Sequence, residues 1–241
     1  MQPARPPAKP ILPPRSRVQS AGPAAALALA TALLAAGGTA HAQAVDPRNT
    51  QQLMACLAKA SERPEEALED GLVWRGRSGG IDAEHCIAVA RIEVGDIETG
   101  ARTLVSLAAS PYAGDAESRA QLLVKAANAW LLIEDYAPAE AALTRALELV
   151  PEAQGIFLDR ARARALGGRW SDAEVDLDRA LAQGEDAFAY RLRAEVRMQL
   201  GRYDDAEADI AAAERIEPRS VETNLVRGRI REARRLGRAP D

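Results

Sequence analysis

Cys56, His85 and Cys86 are the residues in this sequence with the clearest capacity for redox or metal chemistry. Thiolate and imidazole are soft and borderline ligands, and a thiolate is also a nucleophile. Their spacing fits neither use. There is no Cys-x-x-Cys and no Cys-x-x-Cys-His, and His85 is the only histidine after residue 41, so neither a zinc nor a haem site is expected. A Ser-His-Asp arrangement would hang on His85 alone, and a Schiff-base site on Lys59 or Lys125, the only lysines past residue 42. No glycine-rich loop follows a strand-like run, so no phosphate cradle is indicated. The acid pairs Asp204-Asp205 and Asp176-x-Asp178 read as solvated helix faces. The composition therefore points away from catalysis, metals and cofactors. An even cysteine count in an oxidising compartment points to a structural disulfide between Cys56 and Cys86. Closing that loop of 30 residues is worth about 3–4 kcal/mol by loop entropy. Two buried thiols, or a thiol-based redox or enzyme-accessory role, are the alternatives.

The compartment is read from the amino-terminal end. Residues 1–42 carry Arg5, Lys9, Arg15 and Arg17 and no acid, then the apolar run 24–36, then small residues. That is the form of a secretory signal peptide, with cleavage after Ala42 or Ala44. The run is too short to span a bilayer, which needs roughly 20 residues. The expectation is a periplasmic or secreted protein without membrane insertion after cleavage; a cytosolic adaptor with a misassigned start is the alternative. The remainder carries 27 basic against 35 acidic residues, net −8, and offers nucleic acid no general attraction.

The elements that carry these residues are helical. Of the whole chain, 47% is hydrophobic but only 4% aromatic, and the apolar weight lies on Ala and Leu. Such a mix favours close-packed helices over sheets. Three stretches repeat one pattern: 134–151, 168–185 and 201–218. Each has an aromatic, an Ala three residues on, an aliphatic four further and an Ala three further. These are Tyr136, Ala139, Leu143, Ala146; Trp170, Ala173, Leu177, Ala180; and Tyr203, Ala206, Ile210, Ala213. A degenerate copy begins at Ile97, with Gly100 where Ala is expected, so the markers recur at intervals of 39, 34 and 33 residues. Nine residues before each marker stands an alanine, Ala88, Ala127, Ala161 or Ala194; Leu123, Phe157 and Tyr190 stand thirteen before theirs. A small residue there lets two helices approach closely. Trp130 falls on a core position too, and Trp74 on the apolar face of an amino-terminal hairpin.

The pattern resembles the tetratricopeptide repeat family over roughly 81–218. Glu134 where glycine is expected, Glu185 in place of a closing proline and Gly100 are departures. The resemblance implies an all-α, right-handed α-solenoid. The domain reading is residues 43–80 as a helical hairpin and loop, 81–218 as four helix pairs, and 219–241 as a capping helix and tail. No unit can bury its stripe alone, so units stack on one continuous core. Asp135, Ser171 and Asp204 lie near helix starts and are expected to cap them. Seven arginines in 219–241 give the array a polar end, or alternatively a basic docking surface.

Recognition of a protein or peptide is what the resemblance implies, on the concave face formed by the first helices. The expected binding residues are Val124, Asn128 and Leu131; Leu158 and Arg162; and Arg191, Glu195 and Met198, with His85, Val89, Ile92 and Ala165 on the same stripe. Apolar anchors would sit at one end and an acidic group near Arg162 and Arg191. The arginines at 160, 162, 164, 191, 193 and 197 have a plainer reading: surface pairs with acids of the second helices, worth roughly 0–1 kcal/mol each. The function expected is that of a scaffold or adaptor, with a role in cell-envelope assembly.

Overall fold

Alternating helices joined by tight turns account for the computed structural model, which describes residues 47–77 and 79–237. The signal-peptide reading of residues 1–42 lies outside them. An amino-terminal hairpin comprises α1 (Pro47–Glu62) and α2 (Pro64–Gly76). Four pairs follow: α3 (Gly80–Glu93) with α4 (Ile97–Ala108), α5 (Ala116–Leu132) with α6 (Tyr136–Leu149), α7 (Gln154–Leu166) with α8 (Trp170–Gln183), and α9 (Ala187–Gln199) with α10 (Tyr203–Ile216). The last helix is α11 (Val221–Leu236). No strand occurs among the described residues.

The sequence marker sits at a structural joint. Ile97, Tyr136, Trp170 and Tyr203 are each the first residue of a second helix. A three-residue turn precedes each of them, and its middle residue is left-handed: Gly95, Glu134, Gly168 and Gly201, with φ of 95°, 59°, 74° and 74°. In the last three pairs the turn closes with paired backbone bonds. Asp135 N–H donates to Trp130 C=O at 3.0 Å, Arg169 to Arg164 at 2.8 Å and Arg202 to Arg197 at 2.8 Å, while the left-handed residue donates to the carbonyl three back. That is the Schellman arrangement, which satisfies the free carbonyls of the first helix. A departing helix that begins in this way has little use for a side-chain cap. Asp135 precedes α6 without a side-chain bond, and Ser171 and Asp204 lie inside α8 and α10. The expected caps are thus corrected. Side chains cap first helices instead: Asp115 accepts from Ser118 N–H, Asp186 from Ala189 and Ser220 from Thr223.

The alanines do what their spacing requires. Ala88, Ala127, Ala161 and Ala194 are fully buried, as are Ala139, Ala146, Ala173, Ala180, Ala206 and Ala213. Phe157 and Trp130 are buried, while Tyr136, Trp170 and Tyr203 are half-buried at the joints and Tyr190 half-buried on α9. One apolar cluster runs from α3 through α8, and two others continue it through α7–α9 and α9–α11. Gly100 has a steric cause. A Cβ there would lie 2.5 Å from the Ala88 carbonyl oxygen and 2.6 Å from Ile92 Cγ1; α3 and α4 cross too closely for the alanine used in later pairs.

The amino-terminal hairpin differs from the other pairs. Cys56 of α1 and Cys86 of α3 are at disulfide distance, their Cα atoms 5.9 Å apart. They form a buried cluster with Ala60, Ala67, Trp74, Ala83 and Ala90. Accordingly α1 packs on α3 more extensively than later first helices pack on one another, and less tightly on α2 than partners do elsewhere.

Candidate functional site

The first helices α5 and α7 each turn one strip to solvent, and the period carries equivalent residues along the row. Val89, Asn128, Arg162 and Glu195 are register equivalents, and Arg229 of α11 extends the series. Asn128 and Arg162 are exposed and Glu195 half-buried. Val124, Leu131, Leu158 and Arg191 stand at the edges of the strip, each half-buried.

Two expectations fail on this face. Met198 is only 2% exposed and packs with Ala194, Ala206, Ile210, Val226 and Ile230. Ala165 is buried as well. A first helix is gripped by its own partner and by the preceding second helix, so more of its circumference is covered than an isolated pair would suggest. The solvent strip is consequently rotated by about one residue. Leu132 and Leu166 occupy it in place of the half-buried Leu131 and the buried Ala165, and Phe188 and Leu192 carry it on α9. The signal was present: a strip running 121, 125, 128, 132 has the same helical spacing as the one chosen.

At the carboxy-terminal end of the row, α9 and α11 enclose a cleft of about 300 Å³. Phe188, Leu192, Leu225 and Val226 are its apolar lining, and Arg191, Glu195, Glu222 and Arg229 its charged lining. Phe188 is 45% and Leu225 63% exposed. The charges are already engaged. Arg191 Nη1 donates to Glu217 Oε2 at 2.6 Å, and Arg229 is paired with Glu195. Burial pushes the Glu195 carboxyl up against the pull of Arg229 and Arg191. Arg162 has Asp159 as its charged neighbour; burial raises the Asp159 carboxyl and Arg162 opposes it. An incoming acid would therefore meet Arg162 with less competition than Arg191.

Arg160, Arg164, Arg193 and Arg197 are not surface pairs. Arg160 donates to Asp176 through Nε and Nη2 at 2.9 and 2.8 Å, and Arg164 Nη1 reaches the same carboxylate at 2.8 Å. One unit later, Arg193 and Arg197 hold Asp209 in the same way. Glu140 joins Arg164 to Arg169, and Glu174 joins Arg197 to Arg202. Burial alone would raise the Glu174 carboxyl, but the bonds from Arg197 and Arg202 hold it below the usual range. Asp176 and Asp209 are 1% and 3% exposed, so the reading of Asp176 as a solvated acid and of these arginines as surface partners is corrected. Each network spans α6, α7 and α8, or α8, α9 and α10, and locks one unit to the next.

His85 is not arranged for catalysis. Burial lowers its pKa to about 4, with Lys125 adding to the effect, and its Nε2 is buried without a partner. Among the described residues no group of three or more His, Cys, Asp or Glu could hold a metal ion. No described helix is long and apolar enough to cross a membrane.

Helix pairs repeated by one turn geometry, with a shared core and a row of first helices facing solvent, define an α-solenoid. Comparison with solved structures specifies which: the chain has the tetratricopeptide-repeat fold. It aligns with MamA (MSR-1) at 17% identity and TM-score 0.56, over 73% of this chain and 100% of that one. MamA (AMB-1) aligns at 21% and 0.55, over 74% and 97%. A thermophilic TPR protein in Thermus thermophilus aligns at 21% and 0.50, over 77% and 98%. No family model and no curated protein matches the sequence.

Proposed function

We propose that this protein is an interaction scaffold or adaptor that binds a segment of another protein along its first-helix face, with the α9–α11 cleft as the principal anchor. The observation that carries the reading is Phe188 and Leu225, large apolar side chains standing exposed on either wall of one cleft. Apolar groups set among polar ones in a groove are the usual means of taking up side chains of a docked segment. The rim pairs Arg191–Glu217 and Arg229–Glu195 supply charges of both signs for register. We place the protein in the periplasm or outside the cell, in envelope assembly. The apolar run before residue 37 and the paired, buried Cys56 and Cys86 support that placement.

Affinity capture from the envelope fraction, with wild type against the double variant Phe188→Ala, Leu225→Asp, tests the cleft. The variant keeps its helical circular dichroism and loses the captured partner. Recovery of the same partner at the same yield removes the cleft from the proposal. Arg162→Ala with Arg191→Ala, assayed at low and high salt, tests the charged part; undiminished binding in both removes it. Amino-terminal sequencing of the mature form decides the compartment.

A further inference from the structure

The hairpin holds a second cleft, distant in sequence from the α9–α11 one. Between α1 and α2 lies a space of about 560 Å³, within the range of small-molecule sites. Here α1 is joined to α3 at Cys56–Cys86 and packs less closely on α2 than partners do elsewhere. Asn49, Gln52 and Lys59 face it from α1, spaced three and seven residues apart on one side of the helix; Val73 and Trp74 face it from α2, and Arg77 from the residue that caps the end of α2. Lys59 is paired across the cleft with Asp70, its one acid. The side chains of Asn49, Gln52 and Arg77 make no hydrogen bond or ion pair with any described residue. The contrast with Arg160, Arg164, Arg193 and Arg197 is plain, since each of those is held by acids.

We propose that the α1–α2 cleft binds a small organic carboxylate with an apolar body. The free guanidinium of Arg77 presents a planar fork that matches a carboxylate with two parallel bonds. The amides of Asn49 and Gln52 donate from the facing wall. Val73, 52% exposed, and the edge of Trp74 form the apolar side on which the body of the ligand rests. Arg77 caps α2 three residues after Trp74, its backbone N–H donating to the Trp74 carbonyl, so charge and apolar surface are offered together. A bare inorganic anion would use only half of this lining.

The test uses the mature, oxidised protein with N-acetyl-phenylalanine as the probe, read by titration calorimetry and by the Trp74 indole N–H resonance. The acid binds saturably and shifts that resonance. Its uncharged amide, N-acetyl-phenylalaninamide, binds at least about tenfold more weakly, as the loss of a charge-assisted fork requires. Inorganic phosphate leaves the indole resonance unmoved. Arg77→Ala weakens the acid by about tenfold or more, with circular dichroism unchanged because the side chain is exposed, and Gln52→Ala weakens it by a smaller factor. No saturable binding of the acid at about 10 mM, equal binding of the amide or of phosphate, or unchanged binding by Arg77→Ala each overturns the proposal. None of these results depends on the α9–α11 cleft, whose variants leave this site intact.

Discussion

Removing the Asp176 carboxylate should destabilise the protein more than any surface substitution, and the amount follows from the geometry. The side chain accepts three bonds from two guanidinium groups at 2.8–2.9 Å. Arg160 and Arg164 are only 14% and 17% exposed. Asp176→Ala leaves both cations without their shared anion. Arg164 keeps Glu140 and Arg160 keeps the Thr144 hydroxyl, so the loss falls short of stranding two isolated charges. A cost of about 3–4 kcal/mol is expected, in the range measured when one partner of a buried pair is removed. Urea unfolding followed by circular dichroism at 222 nm gives the value by linear extrapolation. Asp204→Ala, which breaks only the exposed pair with Arg234, is the control and should barely move the midpoint. Because the network recurs, Asp209→Ala should cost the same within about 1 kcal/mol. The triple replacement Asp176→Leu, Arg160→Leu, Arg164→Leu should recover much of the loss, since no buried charge then lacks its partner. A cost for Asp176→Ala below about 1 kcal/mol, indistinguishable from the control, would refute the reasoning.

Three further outcomes follow from single positions. Gly100→Ala should destabilise by about 1–3 kcal/mol, because the new methyl meets the Ala88 carbonyl; thermal unfolding measures it, and a neutral result would mean that α3 and α4 can part without cost. Glu134→Gly should stabilise by about 0.5–1 kcal/mol, since a left-handed residue with a side chain is strained and the other turns use glycine; a destabilised variant in urea would contradict the turn assignment. His85 stays neutral in the fold down to about pH 4, whereas in the unfolded chain it takes up a proton near 6.5. The unfolded state therefore binds more protons between those values, and stability falls as pH drops from about 6.5 to 4, by on the order of 2–3 kcal/mol. His85→Gln should flatten that part of the stability–pH curve, and an unchanged curve would show that other groups set it.

The helices and their joints were legible because they rest on steric rules. Alanine at two fixed offsets from an aromatic marks where backbones touch, and Ala127, Ala161 and Ala194 are all buried. The turn survives at Glu134 even without its glycine, because the Schellman bonds and the packing of Tyr136 specify it. The networks were not read because arginine and aspartate on a helix normally mean solvent. A signal was nonetheless present. Asp176 falls between Ala173 and Ala180 and beside Leu177, on the buried stripe, and Asp209 stands likewise among Ala206, Ile210 and Ala213. An acid at the centre of an apolar stripe needs a buried cation, and the arginines 16 and 12 residues before it supply one in both units. The face strip was misplaced by one residue, and Met198 with it, because periodicity fixes the width of a buried stripe only when both neighbours of a helix are known.

The array is thus held by different means along its length. Across α3–α6 the interior is Leu104, Leu122, Leu123, Leu143 and Trp130 among alanines, and apolar burial is enough. From α7 onward ion networks join an apolar core that includes Phe157, Leu177, Met198, Ile210 and Ile230. There the stems of Arg160, Arg164, Arg193 and Arg197 cover apolar surface while their heads meet a buried acid. Ion networks fix orientation more sharply than alanine contacts do, because the Arg160 and Arg193 forks each donate two bonds to their carboxylate in one plane. The units so fixed, α7–α10, include the helix that forms one wall of the α9–α11 cleft. If the α9–α11 cleft binds a partner as proposed, rigid placement of Phe188 opposite Leu225 would lower the ordering cost of that binding, and the buried charges would then serve recognition as well as the fold.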